Sequence, residues 1–285
     1  MSRVQEAYFI PEPSRWPVVA VLASVGILAG TAFSMNAVTG GYWILAGGLL
    51  LFAFLLYGWF GDVVRESLGG FYNERVDRSF RMGMFWFIAS EVFFFLAFFG
   101  SLFYLRTISV EWLGGAGYLG ATQSLWQDYD AQWPTAGPKG EAFSPMEAMG
   151  VPAINTLILL TSGATITWAH WGLKLARRDH LIAGLAATIM LGLSFVALQI
   201  WEYHEAYTHL NLTLRSGVYG STFYILTGFH GLHVTIGAIM LMAIMGRSLR
   251  GHFTPHNHFA FEAVAWYWHF VDVVWLGLFL FVYWL

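Results

Sequence analysis

The sequence predicts an all-α membrane protein, a polytopic bundle of seven transmembrane helices. Of its 285 residues, 57% are hydrophobic and only 11% are charged, whereas soluble domains carry about 25% charged residues. The apolar residues form runs of about 20 residues, the length that a helix needs to cross a bilayer. The chain has no cysteine, which excludes disulfides, iron–sulfur clusters and thiolate metal sites.

Seven apolar runs define the predicted spans, and the basic residues orient them. The runs cover residues 16–36, 41–60, 82–105, 152–175, 181–203, 217–246 and 262–285. With a cytoplasmic N-terminus, the basic residues of the inner loops are Arg3, Arg15, Arg65, Arg75, Arg78, Arg81, Lys174, Arg177, Arg178, Arg247 and Arg250, and those of the outer loops are Arg106, Lys139 and Arg215. Since Lys and Arg accumulate in cytoplasmic loops, this 11-to-3 split supports the helix count and predicts a periplasmic C-terminus.

The loops divide the chain into two predicted regions. Residues 1–81 comprise an N-terminal arm, the first helix pair and a charged inner loop at 62–81, and residues 82–285 comprise a five-helix bundle. The longest loop, 107–150, is predicted to be periplasmic and has an acidic excess. Acidic residues stand near the N-terminus where a signal peptide would be basic, so the first run is interpreted as a true span.

Glu91 is the most conspicuous ionisable residue. It lies within FWFIASEVFFFLAFF (85–99), roughly 14 Å into the membrane at a helical rise of about 1.5 Å per residue. Its helical neighbours are apolar, so desolvation favours a neutral carboxyl. Two interpretations stay open: a protonated carboxyl that hydrogen-bonds a neighbouring helix for packing, or a proton-active or gating group.

Two further polar sets lie inside predicted spans. His230 and His233 are three residues apart on one helical face and are surrounded by glycines, which favours interhelical hydrogen bonding over metal ligation. The last span carries Glu262, His269 and Asp272 without a nearby Lys or Arg in the sequence. Such residues are normally directed at protein or water rather than lipid, so we expect His269 and Asp272 to be structural polar contacts.

Two clusters lie at the ends of predicted spans. Their members are Glu202, His204 and Glu205 at an outer end and His252, His256 and His258 in an inner loop. Either cluster has enough ligand groups for a metal site, but a solvated helix end and interfacial hydrogen bonding are the favoured interpretations, so we predict no metal. Nucleotide-binding motifs are absent, and the histidines do not pair in depth as axial haem ligands. The residues alone indicate a membrane subunit with buried polar contacts, such as a channel or a proton-handling component, and no nucleic-acid partner.

Six motifs in order connect the chain with a known family. They are PSRWP (13–17), WFGDVVRES (59–67), FIASEVFFFLAFF (87–99), PAINTLILLTSGATITWAHW (152–171), YGSTFYILTGFHGLHVTIG (219–237) and HFAFEAVAWYWHFVDVVW (258–275). Across nearly its whole length the sequence resembles subunit III of haem–copper cytochrome c oxidase, in a bacterial form. The resemblance implies seven helices, two plus five, split by a lipid-filled cleft.

The resemblance also implies a function. Subunit III has no redox cofactor, because the haems and coppers belong to subunits I and II. It stabilises the catalytic core, binds phospholipid and supports proton uptake while the complex moves electrons from cytochrome c to oxygen and pumps protons. The implied location is the bacterial inner membrane, and the implied partners are subunits I and II, phospholipids and, through the complex, cytochrome c.

Individual positions inherit expectations from this resemblance. The family's buried carboxylate falls on Glu91, with His230 or His233 as its expected interhelical partner. The residues expected at the lipid site are Trp59, Arg65, Glu66, Arg247, Arg250 and His252. An arginine–phosphate contact there is physically reasonable, because bidentate guanidinium–phosphate bonds are strong.

The sequence departs from the family at two places, and two alternatives stay open. GGFYNERVDRSF (69–80) stands where many relatives have a Gly-x-His-Thr element, and the N-terminal arm lacks the histidines of some bacterial relatives. One alternative is subunit III of a quinol oxidase, which is typically shorter and lacks the first helix pair. The other is an autonomous channel or transporter, which would purify without haem-bearing partners.

Overall fold

The fold is helical throughout the described part of the chain. The structure is a computed structural model that describes residues 8–116 and 124–285; Arg3 and part of the predicted 107–150 loop lie outside these residues. Within the described ranges there are no strands, and seven helices are long and apolar enough to cross a membrane. They are α1 (Trp16–Met35), α2 (Gly41–Leu68), α3 (Glu74–Leu113), α4 (Val151–Lys174), α5 (Arg178–Thr208), α6 (Gly217–Leu249) and α7 (Phe259–Trp284). The predicted all-α fold with seven membrane-spanning helices is confirmed.

The helices are longer than the apolar runs that predicted them. The charged inner loop predicted at 62–81 is wrong for most of its length, because α2 continues to Leu68 and α3 begins at Glu74. Two helices contain a π-helical turn, Leu105–Ser109 in α3 and Phe279–Trp284 at the end of α7. An apolar run marks the part of a helix inside the bilayer, whereas backbone hydrogen bonding continues into polar sequence at either side.

The chain forms two compact units, Met1–Phe80 and Arg81–Leu285. In the first unit, α1 and α2 approach closely through glycines. A Cβ on Gly30 would lie 2.3 Å from the backbone nitrogen of Leu45, and one on Gly48 would lie 2.6 Å from that of Ile27. Small residues allow such backbone contact between membrane helices. The two-plus-five arrangement around a lipid-filled cleft stays a prediction.

In the second unit, α7 provides the centre of the core through Trp268 and Trp275, both of which are fully buried. The indole N–H of Trp268 donates to the Ser162 hydroxyl of α4 at 2.9 Å. A Cβ on Gly192 of α5 would lie 2.5 Å from this indole, and one on Gly237 of α6 would lie 2.9 Å from it. Glycines on two helices thus make room for one large side chain of α7, which explains why these helices pack so tightly around it.

One end of the second unit is rich in arginine and histidine, and we call it the basic end. Here Arg178, at the start of α5, donates to the backbone carbonyl of Leu249 at the end of α6, with 2.6 Å between Nη2 and O. The first residue of the unit, Arg81 in α3, pairs with Glu262 in the first turn of α7. Side chains of Lys174 and Arg247 stand in the last turns of α4 and α6. Polar contacts therefore join α5 to α6 and α3 to α7 at this end.

Candidate functional site

Glu91 of α3 contacts His233 of α6 inside the bundle. Their Oε2 and Nε2 atoms are 2.9 Å apart. The other ring nitrogen, Nδ1, lies 2.6 Å from the backbone carbonyl oxygen of Phe229. A carbonyl only accepts, so Nδ1 carries a hydrogen and donates it. Nε2 and the carboxyl must then share one further proton, which either group can hold.

Aromatic rings surround this Glu91–His233 pair. The imidazole of His233 lies edge-on to Phe95, with centroids 5.0 Å apart, and is stacked against Tyr267 at 6.3 Å. The side chains of Glu91 and His233 are 21% and 12% exposed. Water is largely excluded from the bond, which strengthens it electrostatically.

His230 is the neighbour that the structure separates from Glu91. It is fully buried, and its Nε2 lies 3.1 Å from the backbone carbonyl oxygen of Val271 in α7. The indole ring of Trp275 is 5.2 Å away, between centroids. Of the two histidines predicted as partners of Glu91, His233 contacts it, whereas His230 contacts the backbone of α7.

Glu262 lies at the basic end in a cluster with a cation. Its Oε2 pairs with the Arg81 guanidinium, and its Oε1 lies 3.4 Å from the Nε2 atoms of both His170 and His258. Arg81 also lies over the ring of Phe259, 5.5 Å from its centroid. Three separate stretches of sequence, at 81, 170 and 258–262, therefore converge on one carboxylate.

This cluster is also the one group in the described residues with three potential metal ligands close together. The ligand atoms of His170, His258 and Glu262 lie within 4.8 Å of one another. Two imidazoles and a carboxylate suit zinc chemically. However, the guanidinium of Arg81 already neutralises the carboxylate, and its charge opposes a second cation at this distance.

His269 and Asp272 form a third carboxylate–imidazole contact, in the middle of α7. Nδ1 of His269 is 3.8 Å from Oδ2 of Asp272. The other ring nitrogen, Nε2, is 3.3 Å from the Thr167 hydroxyl of α4. Asp272 is almost fully buried, whereas the His269 side chain is 45% exposed. The pair thus lies at the surface of the second unit, halfway along its helix.

The expectation of a solvated cluster at the end of α5 is wrong for Glu202. His204 is exposed, but Glu202 is fully buried. Its Oε1 accepts a hydrogen bond of 2.6 Å from the Tyr283 hydroxyl near the end of α7. Glu202 and His204 are two positions apart, so on a helix they point to nearly opposite sides, and one is buried while the other is exposed. No local pattern predicts the contact with a tyrosine 81 residues later.

Three of the predicted lipid-binding residues belong to the first unit. Arg65 forms an ion pair with Asp62, one helical turn away, and its side chain is 74% exposed. Glu66 accepts a 2.7 Å hydrogen bond from the Tyr72 hydroxyl. Burial and this bond to Glu66 raise the pKa of Tyr72 well above its ordinary value, so the hydroxyl remains a donor. Trp59 is half exposed on α2.

The other three belong to the second unit, around the end of α6. The Arg247 guanidinium lies 4.5 Å from the Phe253 ring centroid, and its Nε is buried without a hydrogen-bond partner among the described residues. The backbone N–H of His252 donates to the carbonyl of Arg247 at 3.1 Å. Burial, and then the charges of Arg247 and Arg250, lower the pKa of His252. The positive charges of Arg247 and Arg250 therefore dominate the electrostatics around His252.

Sequence reasoning missed several members of these sites. Arg81, His170 and His258 were not expected around Glu262, and Tyr283 was not expected on Glu202. His258 was interpreted as an interfacial group, yet it is only 8% exposed. One signal was available: His258 and Glu262 are four residues apart, so on a helix they face the same way.

Comparison with known proteins agrees with this architecture over the full length of the chain. The family described as "Cytochrome c oxidase subunit III" matches residues 6–285. The chain is 40% identical over 287 residues to "Cytochrome c oxidase subunit 3" of Cyprinus carpio, which covers 100% of this chain and 99% of that protein. The protein of the same description from Formosania lacustris is 41% identical over 287 residues, again with 100% and 99% coverage.

A third relative gives the same result. "Cytochrome c oxidase subunit 3" of Branchiostoma lanceolatum is 42% identical over 280 residues, with 97% of this chain and 96% of that protein covered. These relatives are eukaryotic, so the expected bacterial origin stays a prediction. Identity at this level across all seven spans does not arise from hydrophobicity alone, and the chain belongs to the cytochrome c oxidase subunit III family.

Proposed function

We propose that the chain is the non-redox subunit of a proton-translocating terminal oxidase that passes electrons from cytochrome c to oxygen. In this role it stabilises the catalytic subunits, binds phospholipid and supports proton uptake. The observation that carries the proposal is the family match over residues 6–285. It favours this function over that of a quinol oxidase subunit or an autonomous channel.

The proposal assigns haem and copper to the partner subunits I and II. The chain has no cysteine for a thiolate-bound copper. Four of its histidines are engaged in other contacts: His233 with Glu91, His170 and His258 with Glu262, and His230 with a backbone carbonyl. These contacts support a chain that contributes packing and proton-linked groups rather than redox centres.

The Glu91–His233 pair is the proposed proton-linked element of the subunit. One proton lies between Glu91 and His233, and aromatic rings surround the pair. A change of charge nearby can therefore transfer that proton from one group to the other along the hydrogen bond. The Arg81–Glu262 cluster lacks this freedom, because a guanidinium does not release its proton. We propose that Glu91 with His233 responds to proton movement, while Glu262 holds the helix ends together.

For phospholipid, we propose phosphate contacts at Arg65 in the first unit and at Arg247 and Arg250 in the second. Arg65 is exposed with a single carboxylate neighbour, and Arg247 has an unsatisfied buried Nε. Trp59 and Glu66 complete the proposed headgroup surroundings at Arg65, and His252 completes those at Arg247 and Arg250. Arg65→Ala and Arg247→Ala should each lower the phospholipid retained per purified complex, and exposed Arg215 replaced by Ala provides the control.

We further propose a bacterial inner-membrane location, with a cytoplasmic N-terminus and a periplasmic C-terminus. The distribution of arginine and lysine supports this orientation. Single cysteines at exposed Ser124 and Arg177 test it with an impermeant thiol reagent in cells with a permeabilised outer membrane. Labelling at 124 alone agrees with the proposal, and labelling at 177 alone reverses it.

The central experiment compares purified oxidase with and without this chain. Both complexes should show the same haem spectrum and the same initial oxygen consumption, because the redox centres lie elsewhere. The complex without the chain should take up protons more slowly at high pH and lose activity sooner during turnover. Loss of the haem spectrum on removal of the chain would contradict a supporting role, as would recovery of the wild-type chain without any haem-bearing partner.

A further inference from the structure

At the basic end, Nε2 of His170, Nε2 of His258 and Oε1 of Glu262 face one another without forming hydrogen bonds. Each nitrogen is 3.4 Å from the oxygen, and all three atoms lie within 4.8 Å of one another. Both nitrogens are buried and have no hydrogen-bond partner among the described residues. Buried polar atoms in folded proteins are normally satisfied, so this arrangement indicates a ligand.

The tautomer of His258 explains why no hydrogen bond forms. Its Nδ1 lies 3.0 Å from the backbone carbonyl oxygen of Thr254. A carbonyl only accepts, so Nδ1 carries the hydrogen, and in the neutral ring Nε2 has a lone pair. That lone pair faces the carboxylate oxygen of Glu262, and the two repel unless a proton or a cation lies between them. Histidines that bind metals usually donate from the other ring nitrogen in this way, often to a backbone carbonyl.

The distances within this cluster suit a zinc ion. Zinc binds imidazole nitrogen and carboxylate oxygen at about 2.0–2.2 Å in tetrahedral geometry, which places two of its ligand atoms roughly 3.4 Å apart. His170 and His258 each have this separation from Oε1 of Glu262. An N–H···O hydrogen bond would be shorter, about 2.7–3.2 Å. Three protein ligands also leave the fourth position of the ion for water.

The charge of Arg81 opposes a metal ion here, but its side chain is able to move away. Arg81 pairs with Oε2 of Glu262, whereas the imidazoles face Oε1. Its side chain is 36% exposed, and that of Glu262 only 10%. A long side chain that already reaches the surface can leave its partner without burying its charge. Since the guanidinium and a divalent cation repel each other, the two should be alternative neighbours of this carboxylate.

We propose that His170, His258 and Glu262 form a zinc-binding site, completed by water, and that zinc and Arg81 compete for the Glu262 carboxylate. Without zinc, Arg81 links α3 to α7; with zinc, the ion links α4 to α7 and releases α3. The inference goes beyond the proposed function and does not depend on it, because every ligand belongs to this chain.

Equilibrium dialysis of the purified complex against radioactive Zn²⁺ tests the site. Excess Mg²⁺ is included to occupy sites built from oxygen alone, since it prefers oxygen ligands. His170→Gln and His258→Gln should each lower the zinc affinity of the site by about tenfold or more, because even partners outside the ligand set change affinity by about 10-fold to 100-fold. Exposed His256 in the same loop provides the matched control as His256→Gln. Equal zinc binding by the wild type, His170→Gln and His258→Gln overturns the site.

Arg81 variants test the competition. Arg81→Gln should bind zinc more tightly than the wild type, because it removes the opposing charge, and Arg81→Lys should not. Zinc should also raise the temperature at which Arg81→Gln dissociates from the solubilised complex. Arg81→Gln combined with His170→Gln should show no such recovery, which separates metal binding from general loosening of the fold. An unchanged zinc affinity in Arg81→Gln overturns the competition, and recovery in the double variant overturns the site.

Anomalous scattering at the zinc absorption edge locates the ion in crystals of the complex soaked with Zn²⁺. A peak within about 2.0–2.2 Å of the three ligand atoms supports the proposal. Peaks confined to other subunits overturn it. Failure of the proposed function is a separate outcome: if the chain purifies without haem-bearing subunits, the same zinc titration applies to the chain as purified.

Discussion

Glu262 and Glu91, two carboxylates of the second unit with histidine neighbours, differ in what else surrounds them. Glu262 is held by the Arg81 guanidinium and lies 3.4 Å from two imidazoles. Glu91 pairs with His233 alone among the ion pairs of the described residues. The first carboxylate has a guanidinium beside it that keeps its charge, whereas the second shares a hydrogen bond with an imidazole that can release its proton. The same residue types thus produce a structural clamp in one place and a proton-linked pair in the other.

The position of each group in the fold agrees with this division. Glu262 lies in the first turn of α7. Its partners Arg81 and His170 lie about two turns after the start of α3 and about one turn before the end of α4, so its contacts join three helices at the basic end. Glu91 lies well inside α3, and its partner His233 is in contact with the rings of Phe94, Phe95 and Tyr267, which leave the hydrogen bond little access to water. A charged side chain near the end of a membrane helix costs little free energy, because it can reach water. A side chain deep in the span is more stable when it has no net charge.

The largest expected effect comes from removing the cation of the clamp. Arg81→Gln leaves Glu262 charged and partly buried, and should destabilise the subunit by about 2 kcal/mol, between the values for exposed and buried pairs. Arg81→Lys retains the charge and should lose less. The temperature at which the chain dissociates from the solubilised complex reports the difference. A wild-type temperature for Arg81→Gln would mean that the clamp contributes nothing.

Neutralising the other carboxylate should matter less. In Glu91→Gln the amide N–H can still donate to Nε2 of His233, so stability should fall by about 1 kcal/mol. Haem spectra of the complex should be unchanged. If Glu91→Gln lowers the dissociation temperature as far as Arg81→Gln does, the two carboxylates contribute equally to stability and Glu262 is not a distinct structural clamp.

Chemical modification should separate the two carboxylates without any substitution. A hydrophobic carbodiimide attacks protonated carboxyls, so it should modify Glu91 in preference to Glu262. Side-chain exposures of 21% and 10% favour the same order. Mass spectrometry of the modified peptides gives the ratio, and Glu91→Gln should abolish labelling of its peptide. Greater labelling at Glu262 would show that Arg81 does not keep that group ionised.

The smallest effect concerns an imidazole beside arginines. Burial and the charges of Arg247 and Arg250 lower the pKa of His252, so the unfolded chain binds this proton more tightly. The contribution of His252 to stability is therefore largest above its ordinary pKa and declines as the pH falls below that value. A phosphate bound at Arg247 should raise the pKa again.

NMR titration of ring-labelled histidine in the purified complex measures this shift. Adding anionic phospholipid should move the pKa of His252 upward, and exposed His256 in the same loop is the reference. An identical titration of His252 with and without lipid would contradict phosphate binding at this loop.

Much of the fold follows from local sequence. Each span is a run of apolar residues that satisfies its backbone hydrogen bonds within itself, so composition and length reveal it without knowledge of its neighbours. Helix ends were less predictable, because α2 and α3 continue through charged residues into the region where a loop was expected. The apolar pattern reports the bilayer and says little about where a helix stops beyond it.

The sequence by itself therefore determined the seven spans, the family and the identity of Glu91 as an unusual group. Only the tertiary structure decided the partners of the ionisable residues. Arg81 meets Glu262 across 181 residues, Glu91 meets His233 across 142, and Tyr283 meets Glu202 across 81. Within a span, the choice between adjacent histidines such as His230 and His233 depends on which neighbouring helix each one faces. Helix rotation and packing set that direction, and neither is encoded in a single helix.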